Sequence, residues 1–402
     1  MTQAAVLRFD RSRIRRVGNE PIYANAAEVA QTLAPEDPVF CFSPTALAQS
    51  ARTFLKGFPG EISYAVKANS SKPVLETLAR SGIEMWDVAS VQEMIAVRDV
   101  QAHAQFHYHN PVKSRAEIRE AFDVFQCRRF AADSVAEIDK IAAVIDNAAG
   151  IEIAVRFVLP RQDKTSAHDF STKFGASEAE AVSLLQHAVK LGFTPVLTFH
   201  PGSQSKDPQA YARYIEAAGR IVKEAGVEVA VLNVGGGFPA RYVHSAGPEL
   251  RAYFAAIEDT VRAVFGKQRP KLECEPGRGL VASCMSLLTK VKLVRQGRDD
   301  LFINDGVYGA LMEVWQVAEL QPPYRIIRNG EYILPGPRPM TVFGPTCDPL
   351  DRLPIPLDMP ADIQEGDYIE FGTIGAYGSA TMTRFNGYGG HETVTVGSVL
   401  SI

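Results

Sequence analysis

Short apolar runs rich in β-branched and aromatic residues alternate along the chain with longer segments whose apolar residues recur every three to four positions. The short runs predict strands at Ser63–Lys67, Ile83–Val88, Gln105–His109, Asp123–Gln126, Ile151–Phe157, Pro195–His200, Val227–Val234 and Lys271–Glu275. The segments between them read as helices. In Ser177 to Leu191, Ser177 and Glu180 form a capping-box pattern, and Ala181, Leu184, Leu185 and Ala188 keep one apolar face. Gly192 closes that helix. Pro73 to Arg80 reads the same way, as does Ser134 to Val144, which opens with Ser134 and Glu137. Strands alternating with helices over about 240 residues predict a (β/α)8 barrel, an α/β fold; the count alone leaves an open doubly wound sheet as the alternative.

Beyond about residue 276 the helical period fades, and Gly, Pro and β-type runs take over at Ser286–Val294, Ile326–Ile333, Tyr368–Phe371 and Thr393–Val396. This predicts a second, mainly β domain. The expected division is residues 1–35 as a segment packing with the β domain, 36–275 as the barrel and 276–402 as the β domain. Near the start, Arg8, Arg11, Arg13, Arg15 and Arg16 suggest a transit peptide. Asp10 counts against it, and the alternation through Val6, Arg8 and Ile14 fits an edge strand equally well.

Composition narrows the function classes. With 402 residues, 46% of them hydrophobic and 22% charged, the chain can bury a large core without disulfides or metals. Lys plus Arg number 42 against 46 Asp plus Glu, so the net charge of −4 speaks against a general nucleic-acid binder. Cys41, Cys127, Cys274, Cys284 and Cys347 are scattered, with neither a disulfide framework nor a CxxC zinc pair. No run approaches the ~20 apolar residues of a membrane span. A reducing, cytoplasmic setting is expected.

The candidate chemistry sits where each strand ends, which is where such barrels carry their sites. The first strand ends Tyr64-Ala65-Val66-Lys67-Ala68-Asn69. A lysine there either reaches solvent at the rim or is desolvated, its amine neutral and able to condense with an aldehyde. The sixth ends Phe199-His200-Pro201-Gly202-Ser203. Its imidazole is either a hydrogen-bonded core histidine or a flat surface for an aromatic cofactor, with the Ser203 hydroxyl turned to an anion. The seventh ends in Gly235-Gly236-Gly237, either a flexible turn or a backbone cradle for phosphate. The eighth ends Glu273-Cys274-Glu275-Pro276-Gly277-Arg278. It offers a carboxylate for a protonated ring nitrogen and a guanidinium for phosphate, or else a plain ion pair. His103, His107 and His109 are the rival, metal reading. With no carboxylate or cysteine in the expected pattern beside them, no metal site is expected.

These pieces occur in order with Asn304-Asp305-Gly306-Val307-Tyr308-Gly309, Gly344-Pro345-Thr346-Cys347-Asp348 and Gly375-Ala376-Tyr377. From about residue 36 to 390 the sequence resembles the ornithine/diaminopimelate/arginine decarboxylases, pyridoxal-phosphate enzymes of the alanine-racemase-like barrel fold. Within them it looks most like the ornithine decarboxylases. The resemblance implies that Lys67 carries the cofactor, that His200 stacks on its ring and that Glu275 pairs with the ring nitrogen. It implies phosphate-side positions for Gly235, Gly236, Gly237, Ser203, Gly277, Arg278 and Tyr377, and supporting positions for Asp87, Glu93 and Arg156. It gives Cys347 the proton at Cα after CO2 leaves, and Asp348 the distal amine, both from the neighbouring subunit of a homodimer with shared active sites. Tyr308 falls on the substrate side.

The chemistry implied is decarboxylation of a basic amino acid, L-ornithine to putrescine first and L-lysine to cadaverine second. Glu275 favours it over racemisation, because a racemase of this fold carries an arginine there. One departure bears on the substrate. Val317 stands where animal-type ornithine decarboxylases carry a second substrate-binding aspartate, and Glu313 and Glu319 lie close enough in sequence to substitute. Pro349 replaces a glycine common among relatives, and Cys347-Asp348-Pro349 differs from the Cys-Glu-Ser of diaminopimelate decarboxylases, which ranks that substrate third. A different class, a catalytically inactive regulatory homologue, would have lost cofactor residues that are all present here.

Overall fold

The computed structural model describes residues 15–17, 20–160, 173–245, 247–295 and 297–402. The alternation through Val6, Arg8 and Ile14 lies outside the described residues. The first described residues lie in a sheet. β1 (Arg15–Val17) and β2 (Glu20–Tyr23) pair antiparallel, α1 (Ala26–Leu33) follows, and β3 (Val39–Phe42) enters the same sheet. The division expected at residue 36 would give Val39–Phe42 to the barrel, but that run pairs with the sheet and all four of its residues are buried there. The chain crosses to the barrel at Ser43, whose side chain caps α2 (Pro44–Gly57) by accepting from the Ala46 N–H, with Pro44 preset for the first turn.

Eight parallel strands then close on themselves: β4 (Glu61–Ala65), β5 (Met85–Val88), β6 (Gln105–Tyr108), β7 (Arg129–Ala132), β8 (Glu152–Arg156), β9 (Thr194–Thr198), β10 (Val231–Asn233) and β11 (Lys271–Cys274). Pairing of β11 with β4, Glu273 opposite Glu61, completes the barrel and excludes the open sheet. Between successive strands lie α3 (Lys72–Arg80), α4 (Val91–Arg98), α5 (Arg115–Asp123), α6 (Val135–Val144), α7 (Glu178–Lys190), α8 (Gln209–Ala225) and α9 (Leu250–Phe265). The predicted cap of α7 is present: Ser177 and Glu180 exchange hydrogen bonds, and Ala181, Leu184, Leu185 and Ala188 are buried.

The fourth barrel strand is misplaced in the sequence reading. Asp123–Gln126 is the end of α5 and the turn after it, with Val124 exposed and Gln126 in the left-handed region at φ 57°. The strand is Arg129–Ala132, an arginine and two alanines around one phenylalanine. Its propensity is poor, but Arg129 is inside the barrel, where Glu152 (2.6 Å) and Glu273 neutralise it. Lys67 is likewise not in a strand but in a single 3-10 turn, Val66–Ala68, just past β4.

After the short α10 (Arg278–Val281) the chain returns to the sheet. β12 (Met285–Arg295) is its spine, pairing with β3, with β13 (Asp300–Ile303) and with the later strand Tyr368–Phe371. α11 (Met312–Gln316) leads to β14 (Tyr324–Arg328), β15 (Glu331–Ile333), β16 (Arg338–Phe343), β17 (Leu357–Met359), β18 (Tyr368–Phe371) and β19 (Glu392–Val396). The run Ile326–Ile333, read as one strand, is a hairpin: Asn329 and Gly330 turn it at φ 52° and 78°, the left-handed pair a two-residue hairpin requires. β19 lies parallel to both β2 and β3, so strands more than 350 residues apart in sequence share the sheet.

Candidate active site

The C-terminal ends of the barrel strands open into a cavity of about 410 Å³ lined by residues including Lys67, Asp87, His109, Arg156, His200 and Glu275. Each follows or ends a different strand, so the barrel register alone brings together residues up to 208 positions apart, Lys67 and Glu275. The Lys67 ammonium lies 3.2 Å from Asp87 Oδ2. A neutral, desolvated amine was one reading of this lysine. Burial does press its pKa down, but Asp87, Tyr377 and Glu275 outweigh burial and the net shift is upward. The turn bearing Lys67 is pinned by Tyr377, whose N–H donates to Ala68 O at 2.8 Å. Tyr377 itself has φ 60°, a conformation costing about 1–2 kcal/mol for a residue with a side chain.

Glu275 is buried with one oxygen saturated. His109 Nδ1 and Asn233 Nδ2 (2.6 Å) both bond Oε1, and among the described residues nothing donates to Oε2. Burial opposes its charge, but His109, Lys67 and Asn233 hold the carboxyl well below the usual range. Asp87 is pushed up, first by burial and, against the pull of Lys67, by Glu275. Glu93 does not line the cavity. It accepts from the Ala89 N–H at 2.7 Å and so fixes the loop after Asp87.

His200 is held by its own loop. The Gly202 N–H donates to Nδ1 at 3.0 Å, which places the remaining proton on Nε2. Burial, then Arg156 and Lys67, push its pKa down to about 3, so the ring is a flat, uncharged surface. Against it lie the three glycines, packed where no side chain fits. A Cβ on Gly235 would come 2.1 Å from Phe199 O, on Gly236 2.6 Å from Glu275 O and on Gly237 2.4 Å from Gly202 O. Among the described residues nothing accepts from the N–H of Gly236 or Gly237. Ser203 and Arg278 stand nearby, with Nε to Oγ at 3.4 Å, and a Cβ on Gly277 would come 3.1 Å from Ala68 Cβ. Arg278 stacks at 5.0 Å on Tyr377 and donates to Tyr242 at 2.8 Å.

Glu313 reaches the cavity from α11, but both its oxygens bond Arg278, one at 2.7 Å. Its neighbour Gln316 lines the cavity, whereas Val317 does not. Glu319 is on the surface, paired with Lys206 at 3.1 Å. Cys347, Asp348 and Tyr308 are not brought to Lys67 in this chain. Tyr308 donates to Asp348 at 2.5 Å, and Cys347 is exposed beside it. Their loop is anchored by buried Asp351, which accepts from Val307 and Thr346 N–H at 2.9 Å and from the Thr346 hydroxyl at 2.7 Å. The histidines of the metal reading separate: His103 is exposed, His107 pairs with Glu273 at 3.0 Å and His109 pairs with Glu275.

Residues 45–282 match the model of the pyridoxal-dependent decarboxylases, over their pyridoxal-binding domain. The chain belongs to this family. It is 32% identical to a lysine/ornithine decarboxylase of Selenomonas ruminantium over 81% of this chain and 80% of the relative. It is 31% identical to an antizyme inhibitor 2 of Xenopus laevis, over 90% of this chain and 81% of that one. The crystal structure of a lysine/ornithine decarboxylase from Vibrio vulnificus, complexed with putrescine, superposes with a TM-score of 0.78 at 25% identity and covers 91% of this chain and 95% of that one. This decarboxylase uses pyridoxal phosphate. The donor set fits the cofactor part by part: an amine for its aldehyde, a neutral flat ring and an anion for its pyridinium, and a glycine cradle with unused N–H groups beside Ser203 for its phosphate. Two features escaped sequence reasoning. His109 entered only the metal reading, and its pairing with Glu275, 166 residues away, left no local signal. Asp351, in contrast, follows the Cys347-Asp348 motif by three residues, and a buried carboxylate near a Gly-Pro-Thr turn was the available signal.

Proposed function

We propose that this decarboxylase converts L-ornithine to putrescine in polyamine biosynthesis in the cytoplasm, with L-lysine to cadaverine as a second activity. The observation that carries the reading is the ion pair of Lys67 and Asp87 at the barrel mouth, facing anionic Glu275 and neutral His200. Pyridoxal phosphate, when bound, supplies an aldehyde for amines and a conjugated ring that takes up the electrons left as CO2 departs. Lys67 is the amine that would hold the aldehyde. To do so its Nζ must lose a proton, and Asp87 Oδ2 is the acceptor in reach. Glu275 would keep the ring nitrogen protonated. His200 would support the ring, and the Gly235–Gly237 turn, Ser203, Gly277, Arg278 and Tyr377 would hold the phosphate end. Arg156, its charge disfavoured by burial and favoured by Glu275 and Asp87, sets the potential of the floor.

Cys347 and Asp348 act from a second copy of the chain. They lie outside their own cavity on a loop braced by Asp351, exposed Cys347 next to a carboxylate whose pKa the Tyr308 hydroxyl holds down. There Cys347 returns the proton to Cα, and Asp348, with Tyr308, binds the distal ammonium. Asp348→Asn accordingly raises KM for diamino acids roughly 10- to 100-fold, with cofactor content unchanged; an unchanged KM removes Asp348 from the substrate site. Glu313 contributes to the distal end if Arg278 turns toward the phosphate.

The substrate is decided by measuring CO2 release from L-ornithine, L-lysine, L-arginine and meso-diaminopimelate in parallel with the cofactor-loaded protein. Preference for ornithine supports the reading. Preference for lysine makes cadaverine the main product and ornithine the second substrate, and preference for diaminopimelate or arginine overturns the assignment. Release from none of the four favours the regulatory homologue.

A further inference from the structure

His109 has no place in the roles above, yet it makes the most intimate contact with Glu275 of any side chain. It follows β6, with its N–H donating to Val88 O at 3.1 Å. Its Nδ1 bonds Glu275 Oε1, and its Nε2 is buried without a partner among the described residues while the ring lines the cavity. The side chain is 5% exposed. Beneath it, 5.6 Å away and nearly parallel, lies His107, engaged with Glu273, Ser63 (3.2 Å) and Arg129 (3.4 Å). Asn233 ties the two layers by donating to Glu273 (2.9 Å) as well as to Glu275. Two carboxylates are thus stacked one above the other inside the barrel, each with its own histidine.

We propose that His109 is a positioning residue that shares a proton with Glu275, so that the pair, rather than Glu275 alone, sets how firmly the cofactor ring nitrogen is held protonated. The inference rests on the proposed role of Glu275. The bond to His109 and Asn233 occupies Oε1, fixes the carboxylate plane and leaves Oε2 for the ring. The proton of the pair stays on Nδ1 because a buried carboxylate beside a second carboxylate, Asp87, favours a cation between them. The titratable and charged groups around His109 are Lys67 past β4, Asp87 on β5, His107 on its own strand, Arg156 on β8, and Glu273 and Glu275 at β11. The carboxylates dominate, and His109 titrates above the ordinary imidazole value of about 6.5. While it is cationic, Glu275 is a weaker acceptor for the ring proton. Once it is neutral, Glu275 is a stronger one, and the bound cofactor senses the change.

The test compares His109→Ala and His109→Asn as holoenzymes, by steady-state kinetics and by pH titration of the bound cofactor's visible absorbance. His109→Ala is expected to lower kcat roughly 10- to 100-fold with KM little changed, as loss of an orienting neighbour does elsewhere. His109→Asn keeps an N–H near the Nδ1 position, so it restores most of kcat near neutral pH, but it cannot titrate and removes the transition above about pH 6.5. Wild-type kcat in His109→Ala overturns the positioning role. Asn performing no better than Ala overturns it as well, and an unaltered titration in His109→Asn overturns the shared proton. If the alanine variant does not fold, the asparagine variant decides alone. Glu275→Ala is the control: if it retains turnover, the reading of the site fails, whereas loss of turnover there with an unaffected His109→Ala defeats only this inference.

Discussion

Lys67→Ala yields a protein that folds but turns over roughly 10⁴-fold more slowly or worse, because no other amine among the described cavity residues takes the same position beside Asp87. Lys173 lines the cavity too, but beside Phe174, 4.9 Å from its ring. Borohydride treatment of the loaded wild type should fix cofactor covalently to the Lys67 peptide and to no peptide of the variant. Label on another lysine, or turnover within tenfold of wild type, removes Lys67 from its assigned role. The variant also carries a pH signature. The folded-state pKa of Lys67 is raised, so its contribution to stability is complete below the ordinary lysine value of about 10.4 and fades only as pH rises through the higher folded value. The stability deficit of Lys67→Ala is therefore largest at neutral pH and shrinks in strong alkali.

The second large effect falls on Glu275. Glu275→Ala is expected to retain part of its cofactor binding, since the glycine cradle and His200 are untouched, while turnover drops roughly 10²- to 10³-fold for want of the fixed anion at the ring nitrogen. Glu275→Gln, which keeps the shape and loses the charge, should fall nearly as far. Turnover close to wild type in either variant would mean that the ring does not depend on this carboxylate. Here the stability argument has the opposite sign. Burial acts against the Glu275 charge, but His109 and the neighbouring cations prevail, and the folded pKa is depressed. Its contribution is present above the ordinary value of about 4.3 and is lost as pH falls through the depressed one. Acid unfolding of the cofactor-free wild type should thus begin at lower pH than that of the alanine variant, checked by circular dichroism across the acid range.

Much of this was legible in the chain because barrels place chemistry at strand ends. Lys67, His200, Gly235–Gly237 and Glu275 each follow an apolar run, and the structure brings Lys67, His200 and Glu275 to one cavity, with the glycines packed against the backbone of Phe199, Gly202 and Glu275. What the chain hid was polarity inside the barrel. The strand Arg129–Ala132 reads as no strand at all until Glu152 and Glu273 are seen to neutralise its arginine. His109 could not be weighed without Glu275 across the barrel. Glu313 could be named from the sequence as a candidate acid, but not as the bidentate partner of Arg278, because that pairing depends on how α11 and α10 meet. The Asn329-Gly330 turn was a readable signal that the apolar run around it obscured.

The seating of β19 between β2 and β3 bears on how the molecule is made. A ribosome delivers Val39–Phe42 long before Glu392–Val396, so this edge of β3 waits through the synthesis of the entire barrel for its neighbour. The barrel, whose strands are contiguous in sequence from Glu61 to Cys274, can close while the chain is still emerging. The sheet cannot, and until Glu392–Val396 arrive it presents an open, apolar strand edge of the kind that recruits other chains. Sealing of the sheet that carries the Cys347–Asp348 loop thus waits for β19, and a chain cut short before β19 would be exposed to aggregation rather than released as a partly active enzyme.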